Sequence, residues 1–329
     1  MARETSKAAH GEPTRIVTAR PRLLITGVSG LLGLNAALQW QETFEVAGYW
    51  LSHPVSLPGI NTTRLDLEDL PTLLKSVRSF RPNFILHTAG LTNVDRCELD
   101  PSLARRLNVQ VTEHVATAAR ETGARLLHIS TDHLFTGQRP LCDETTEPSP
   151  INVYARTKLE GERVVHRSCP DALIIRTNFT GWGSSVRTSF TDWILTSLDR
   201  GTPLKMFTDV FITPMLINDL LDCIVQLTDM NVSGVLNVAG SERVSKYDVG
   251  VRTAHHFGYN ADRILPISVE EFPFAAPRPR DMSLATSRVS TLLGRRMPTL
   301  DSSLERLRQL RDASWATAIE RAVQTPVSG

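Results

Sequence analysis

Cysteine is sparse in this sequence, and Cys97, Cys142, Cys169 and Cys223 lie far apart, with no Cys-x-x-Cys pair and no clustered histidines beside them. No metal site can be assembled from such spacing, and the expectation is reduced thiols in a cytoplasmic protein. His255 and His256 are neighbours, so on a helix they point in different directions and do not read as ligands. A surplus of charge is also missing: 36 basic residues face 35 acidic ones, a net +1. No global field then favours nucleic acid or anionic lipid. Residues 1–20 are polar with scattered arginines, which excludes a secretory signal and predicts a flexible extension. No later segment has the apolar length to span a membrane. These absences leave a soluble protein acting on a small molecule. Lysine is scarce too, since arginine supplies almost every other positive charge. Only Lys7, Lys75, Lys158, Lys205 and Lys246 escape that bias.

What is present is alternation. Apolar, β-branched runs recur at 23–26, 44–51, 83–88, 125–131 and 172–176, mostly separated by helical patterns. This order predicts an α/β fold, a Rossmann-type doubly wound parallel sheet. Leu103, Leu107, Val111, His114, Val115 and Ala118 mark a crossover helix between the third and fourth strands. Later, Thr188 or Ser189 is expected to cap a helix through Leu198, Asn218 to cap an amphipathic one, and Ser245 to start another. "GVLNVAG" reads as a strand, and 270–282 is proline-rich. The predicted organisation is a nucleotide-binding domain over 21–178, completed by about 206–232, and a smaller C-terminal α/β substrate-binding lobe from 179–205 and 233–311. Within the tail, 312–329, "SWATAIERAV" reads as a short helix.

In "LLITGVSGLLG" an apolar strand runs into Gly27, Gly30 and Gly33 and then a helical pattern. Glycine permits the tight turn and close backbone approach to a pyrophosphate, while the helix N-terminus offers unpaired N–H groups. Ser29, Leu31 and Leu32 belong to the same turn. The spacing G-x-x-G-x-x-G differs from the generic G-x-G-x-x-G, but its position between first strand and first helix is the required context. The second strand ends in "YWLSHP", so Ser52 and His53 stand where an acid would bind the ribose of NAD. Nothing there repels a 2′-phosphate, which favours NADP over NAD, although no arginine stands there to bind it. Asp66, followed by Leu67, either contacts the adenine or caps the helix starting near Glu68.

Tyr154 and Lys158 fall at i and i+4, on one helical face. An adjacent buried cation favours phenolate and is expected to lower the Tyr154 pKa, and a compact ammonium also suits ribose hydroxyls. Upstream, "LLHISTDHLFTG" ends a strand in Ser130 and Thr131, at the edge where open α/β sheets bind ligands. A hydroxyl there can hold a substrate carbonyl while Tyr154 protonates its oxygen and nicotinamide delivers hydride.

With the glycine turn, Thr131, Tyr154 and Lys158 in this order, the sequence resembles the extended short-chain dehydrogenase/reductases, in the branch that contains dTDP-4-dehydrorhamnose reductase. "AGLTNVDRCELDPSLARRLN", "STDHLFTG", "SPINVYARTKLEGE" and "RPRDMSLATSRV" are similar to that branch's segments, and the likeness runs from about Arg22 to Leu310. The resemblance implies Thr131, Tyr154 and Lys158 as the catalytic set. It implies Ala89, Gly90 and Thr92 beside the cofactor and Asn108 facing the cofactor lobe. Asp95, Asp132, His133, Asn178 and Phe179 would border the substrate, with Arg278 and Arg280 near its diphosphate. Departures lie at His133 for tyrosine, Phe179 for tryptophan, Ala155 for glycine and Arg288 for lysine. They leave the sugar open, because pocket residues set substrate choice. The implied activity is NAD(P)H-dependent reduction of a nucleoside-diphosphate 4-keto-6-deoxy sugar. An epimerase uses the same triad, and the regulatory beta subunit of methionine adenosyltransferase resembles this branch too. Dehydration is disfavoured, since His133 stands where dehydratases usually place glutamate. Members of this class are often dimers, so a homodimer stays open.

Overall fold

A computed structural model describes residues 19–324, so nearly all of the expected flexible extension lies outside the described residues. The first half alternates as expected: β1 (Arg22–Thr26), α1 (Leu31–Trp40), β2 (Glu45–Trp50), β3 (Asn61–Arg64), α2 (Leu70–Phe80) and β4 (Phe84–His87). Next come α3 (Val94–Leu99), α4 (Pro101–Arg105), α5 (Val111–Thr122), β5 (Arg125–Ile129), α6 (Val153–Ser168) and β6 (Leu173–Arg176). The second half holds β7 (Phe179–Thr180), α7 (Phe190–Asp199), β8 (Leu204–Phe207), β9 (Phe211–Ile212), β10 (Met215–Leu216), α8 (Ile217–Asp229), β11 (Gly234–Asn237), β12 (Val244–Ser245), α9 (Lys246–His256) and β13 (Ile264–Ile267). Three helices close the described chain: α10 (Ser287–Leu293), α11 (Leu300–Asp312) and α12 (Trp315–Gln324).

Seven parallel strands form one sheet in the order β11-β6-β5-β4-β1-β2-β3. Helices cover both faces, so the central strands read as apolar runs rather than alternations: β1 is RLLIT and β6 is LIIR, nearly all buried. The chain turns one way from β1 to β3 and returns to the other side of β1 with β4. That reversal leaves a crevice at the carboxyl ends of β1 and β4, the position where such sheets bind ligands. The smaller lobe is irregular: β7 pairs with β10, β8 with β13, and β9 with β12. The proline-rich stretch threads through it, fixed by Phe211 N–H to the Arg280 carbonyl at 2.7 Å and Met282 N–H to the Phe211 carbonyl at 2.9 Å.

Several elements differ from the sequence expectation. Strand β3 is NTTR, an edge strand three-quarters exposed, so it carries no apolar signal. The single crossover helix is interrupted by a π turn at Arg106–Gln110, between α4 and α5. Asn218 is not a cap: it lies inside α8 and donates to Gln39 Oε1 at 2.8 Å. Strand β11, expected in the smaller lobe, is the last strand of the main sheet. Ser189, rather than Thr188, caps α7, in a reciprocal capping box with Asp192. Part of the expected tail is α12, with Ile319 and Ala322 buried.

Helix α1 sits close to β1 because Gly33 has no side chain; a Cβ there would lie 2.4 Å from the Gly27 carbonyl oxygen. Gly27 itself has φ +73°, a conformation glycine adopts without steric cost. Gly33→Ala therefore forces α1 off the turn and is expected to cost about 1–3 kcal/mol of stability, read as a lower urea midpoint with unchanged slope.

Candidate active site

Four loops meet at the carboxyl edge of the sheet. The β1–α1 turn brings Gly27, Ser29, Gly30, Leu31, Leu32 and Gly33 together. Gly30 caps α1 with no side-chain hydrogen bond, and the first turn has no acidic residue. The N–H groups of Leu31, Leu32 and Gly33 thus have no side-chain cap and face no competing charge, a donor set that fits a pyrophosphate. The loop after β4 abuts this turn, since a Cβ on Gly27 would lie 2.9 Å from Ala89 Cα. Gly90 is equally constrained: a Cβ there would sit 2.8 Å from Asn108 Oδ1. Asn108, in the π turn, takes Leu91 N–H at 2.7 Å and donates to the Leu91 carbonyl and Thr157 Oγ1, both at 3.0 Å. One buried amide therefore locks the Ala89–Gly90 loop to α6 beside Lys158. Thr92 is exposed at the mouth of this loop.

Ser52 and His53 follow β2 at the outer end of the crevice, with no acid between them. Asp66 is exposed, and its carboxylate accepts Glu68 N–H at 2.9 Å in a local turn. It does not cap α2, whose cap is Asp69, bound to Thr72 N–H at 3.1 Å. Leu67 is buried, and its carbonyl accepts from His114 Nδ1 at 2.9 Å.

The β5–α6 region brings Thr131, Tyr154 and Lys158 together, and all three are buried. Helix α6 starts where Asn152 accepts Ala155 N–H at 2.9 Å and donates to the Pro277 carbonyl at 3.0 Å, while Glu98 takes Val153 N–H at 2.8 Å. Lys158 Nζ donates to the Ile129 carbonyl at 2.8 Å. Four residues on, Glu162 accepts Ser130 Oγ at 2.5 Å and is paired with Arg176 through Nη2 at 2.8 Å and Nε at 3.0 Å. Below lie His87 and His128, ring centroids 5.3 Å apart. Burial and then the Lys158 charge keep both neutral, His87 down at about 3.

Electrostatics overturn one expectation. The Tyr154 pKa is not lowered: burial raises it well above the ordinary phenol value, against the opposing effect of the Thr131 hydroxyl. The phenol is therefore a proton donor at neutral pH. Lys158 is itself pushed down to about 8, by burial first, with Glu162 acting the other way. Asp132 rises to about 6 through burial, although Asn178 donates to it at 2.6 Å. His133 stands edge-on to the Tyr154 ring at 5.5 Å and is held near 3 by burial, then by Lys246 and Arg278, so it is a neutral ring.

Not every expected residue enters the crevice with its charge free. Asp95 is engaged by Arg278 Nη2 at 2.7 Å and Ala276 N–H at 2.9 Å, so the pair ties the proline-rich segment to α3. Arg280 turns away from Arg278 and pairs with Glu270 and, at 3.8 Å, with Asp209. Phe179 is half-buried in β7, packed on the core. Sequence reasoning missed Lys246, first residue of α9, whose ammonium lies 6.0 Å from the Phe190 and Phe207 rings and acts electrostatically on Asp132 and His133. The scarcity of lysine was a usable signal, because two of the five converge here. Among the described residues no three His, Cys, Asp or Glu side chains cluster as a metal site, and no helix is long and apolar enough to cross a membrane.

The family model for the RmlD substrate-binding domain matches residues 21–311. The probable low-salt glycan biosynthesis reductase Agl14 of Haloferax volcanii is 30% identical over 290 residues, covering 86% of this chain and 96% of the relative. Methionine adenosyltransferase 2 subunit beta of Xenopus tropicalis is 29% identical over 291 residues, 84% of each chain. The crystal structure of dTDP-4-dehydrorhamnose reductase from Bacillus anthracis in complex with NADP superposes with a TM-score of 0.79 at 27% identity, covering 88% of this chain and 99% of that one.

Lys158 carries its charge below about pH 8 and loses it above. NADPH affinity, measured by fluorescence titration, is expected to fall as pH rises through that value, and Glu162→Gln, which removes the opposing charge, should move the midpoint lower. The linkage to folding has the opposite slope. Between about 8 and the ordinary 10.5 the unfolded chain binds the extra proton, so this group favours folding more as pH rises.

Proposed function

The chain belongs to the RmlD substrate-binding-domain family, and from that membership we propose that it is an NADPH-dependent reductase of a nucleoside-diphosphate 4-keto-6-deoxy sugar. The observation that carries this reading is a buried, protonated Tyr154 beside Thr131, one helical turn from the Lys158 ammonium, at the carboxyl edge of the sheet next to an uncapped glycine turn. The residues fit a dinucleotide: the turn offers N–H donors and no acid, and Ser52 and His53 set no carboxylate against a 2′-phosphate.

The cofactor, when bound, supplies hydride to the carbonyl carbon. Thr131 holds the carbonyl oxygen through its hydroxyl, and Tyr154 gives that oxygen its proton. The phenolate left behind is stabilised by the Lys158 ammonium, one helical turn away. Ketone, hydride and proton sum to the alcohol. Lys158 is aimed by its bond to Ile129, so the ammonium keeps one place through the cycle. His133, a neutral ring on the Tyr154 edge, limits water access without competing for the proton. Asp132, clamped by Asn178, lies beside the same oxygen site and suits a sugar hydroxyl.

A second reading, a regulatory subunit that binds the cofactor without turnover, rests on the similarity to the Xenopus beta subunit over the same span. One assay separates the two. Oxidation of NADPH and NADH is followed with dTDP-, GDP- and UDP-linked 4-keto-6-deoxy sugars. Turnover with one of them, reduced on the order of 10²–10⁴-fold in Tyr154→Phe, is the expected result. Tight NADPH binding with no turnover on any sugar would sink the reductase reading in favour of the subunit.

A further inference from the structure

Helix α12 lies beyond the residues that match the family, and the reaction above gives it no task. It nevertheless touches both ends of the region where a dinucleotide's pyrophosphate and adenosine ribose would lie. At its start, Trp315 Nε1 donates to Asn35 Oδ1 at 2.8 Å. Asn35 is fully buried in α1, and its amide donates to the Leu31 carbonyl at 2.8 Å and the Trp182 carbonyl at 2.9 Å. Leu31 heads the uncapped first turn of α1. Near its other end, the Ala322 carbonyl accepts Ser56 N–H at 2.8 Å, in the loop that carries Ser52 and His53. Ile319 and Ala322 are buried in the same apolar cluster as Val55, Leu57 and Ile60 of that loop. A third tie, from Glu320 to Ser185 N–H at 2.8 Å and Oγ at 2.6 Å, fixes the helix against the smaller lobe.

We propose that Trp315 and Asn35 are positioning residues for the dinucleotide: α12 holds the pyrophosphate turn and the ribose-end loop at one fixed separation, so that docking of α12 and binding of the cofactor are energetically coupled. This rests on the reading of the β1–α1 turn as a dinucleotide site. The physical ground is that Asn35 has its carbonyl and both amide hydrogens engaged. Losing Trp315 leaves a buried acceptor unpaired, and the amide then has reason to rotate off Leu31. Coupling of this kind is reciprocal, so the cofactor must tighten α12 to the extent that α12 tightens the cofactor.

Hydrogen exchange on the full chain with and without NADPH tests it directly. Protection is expected in the turn at Gly27–Gly33 and also at Ser56 and through α12, which the cofactor does not touch. Trp315→Phe, which keeps an aromatic ring and removes the N–H, is expected to weaken NADPH binding roughly 5–10-fold and to shrink the stabilisation that NADPH gives in a thermal melt. Thr317→Ala, on the exposed face of the same helix, is expected to bind as the unaltered chain does. The proposal is overturned if NADPH protects the turn but not α12, or if Trp315→Phe lowers the melting temperature equally with and without NADPH, which is a structural role alone. Equal weakening in Thr317→Ala would overturn it too. Absence of protection in the turn itself would bring down the cofactor reading and this proposal with it.

Discussion

The site depends on one buried carboxylate. Glu162 accepts from Ser130 and Arg176 and lies one turn below Lys158, so a single carboxylate joins α6 to the ends of β5 and β6, beside the loops that carry Thr131 and Asn178. Both partners of the Glu162–Arg176 pair are about nineteen-twentieths buried. Such a pair adds little net stability over an apolar core, but removing one partner typically costs about 3–5 kcal/mol because the other charge is left alone. Its structural effect is one of register. Ser130 and Arg176 cannot both reach Glu162 unless the ends of β5 and β6 are level, and level ends put Asp132 within reach of Asn178.

Desolvation then determines the chemistry. The same burial that makes Glu162 costly to disturb holds Tyr154 protonated, lowers Lys158 towards neutrality, and keeps His87, His128 and His133 uncharged. For the phenol, removal from solvent is the larger effect, and the Thr131 hydroxyl opposes it without reversing it. In the reaction proposed above, such an acid gives up its proton only to an oxygen that is itself gaining charge, the requirement for reducing a carbonyl rather than merely binding it.

The lobe below the sheet edge is held by pairs that neutralise each other. Asp95 with Arg278 binds the proline-rich segment to α3, and Arg280 is satisfied by Glu270 and Asp209 on the outer side. Lys246, by contrast, makes no salt bridge among the described residues and lies 6.0 Å from the Phe190 and Phe207 rings, acting electrostatically on Asp132. Among the described residues, the cation left without a salt bridge at this end of the crevice is thus a lysine from α9 rather than the second arginine of R-P-R.

Much of this was legible in the residues. The apolar strands, the glycine turn and the spacing of Tyr154 and Lys158 follow from local pattern, because strand period, turn geometry and helical spacing are set by neighbours in the chain, and the family was legible as a resemblance of motifs. The sequence did not disclose β3, whose edge position needs no apolar residues, or the π turn that aims Asn108. Nor did it disclose the direction of the Tyr154 shift, the partner of Arg280, or α12 reaching back to Asn35. Each of those depends on which distant groups are brought together and how much water is removed between them, and only the packed tertiary structure sets either quantity.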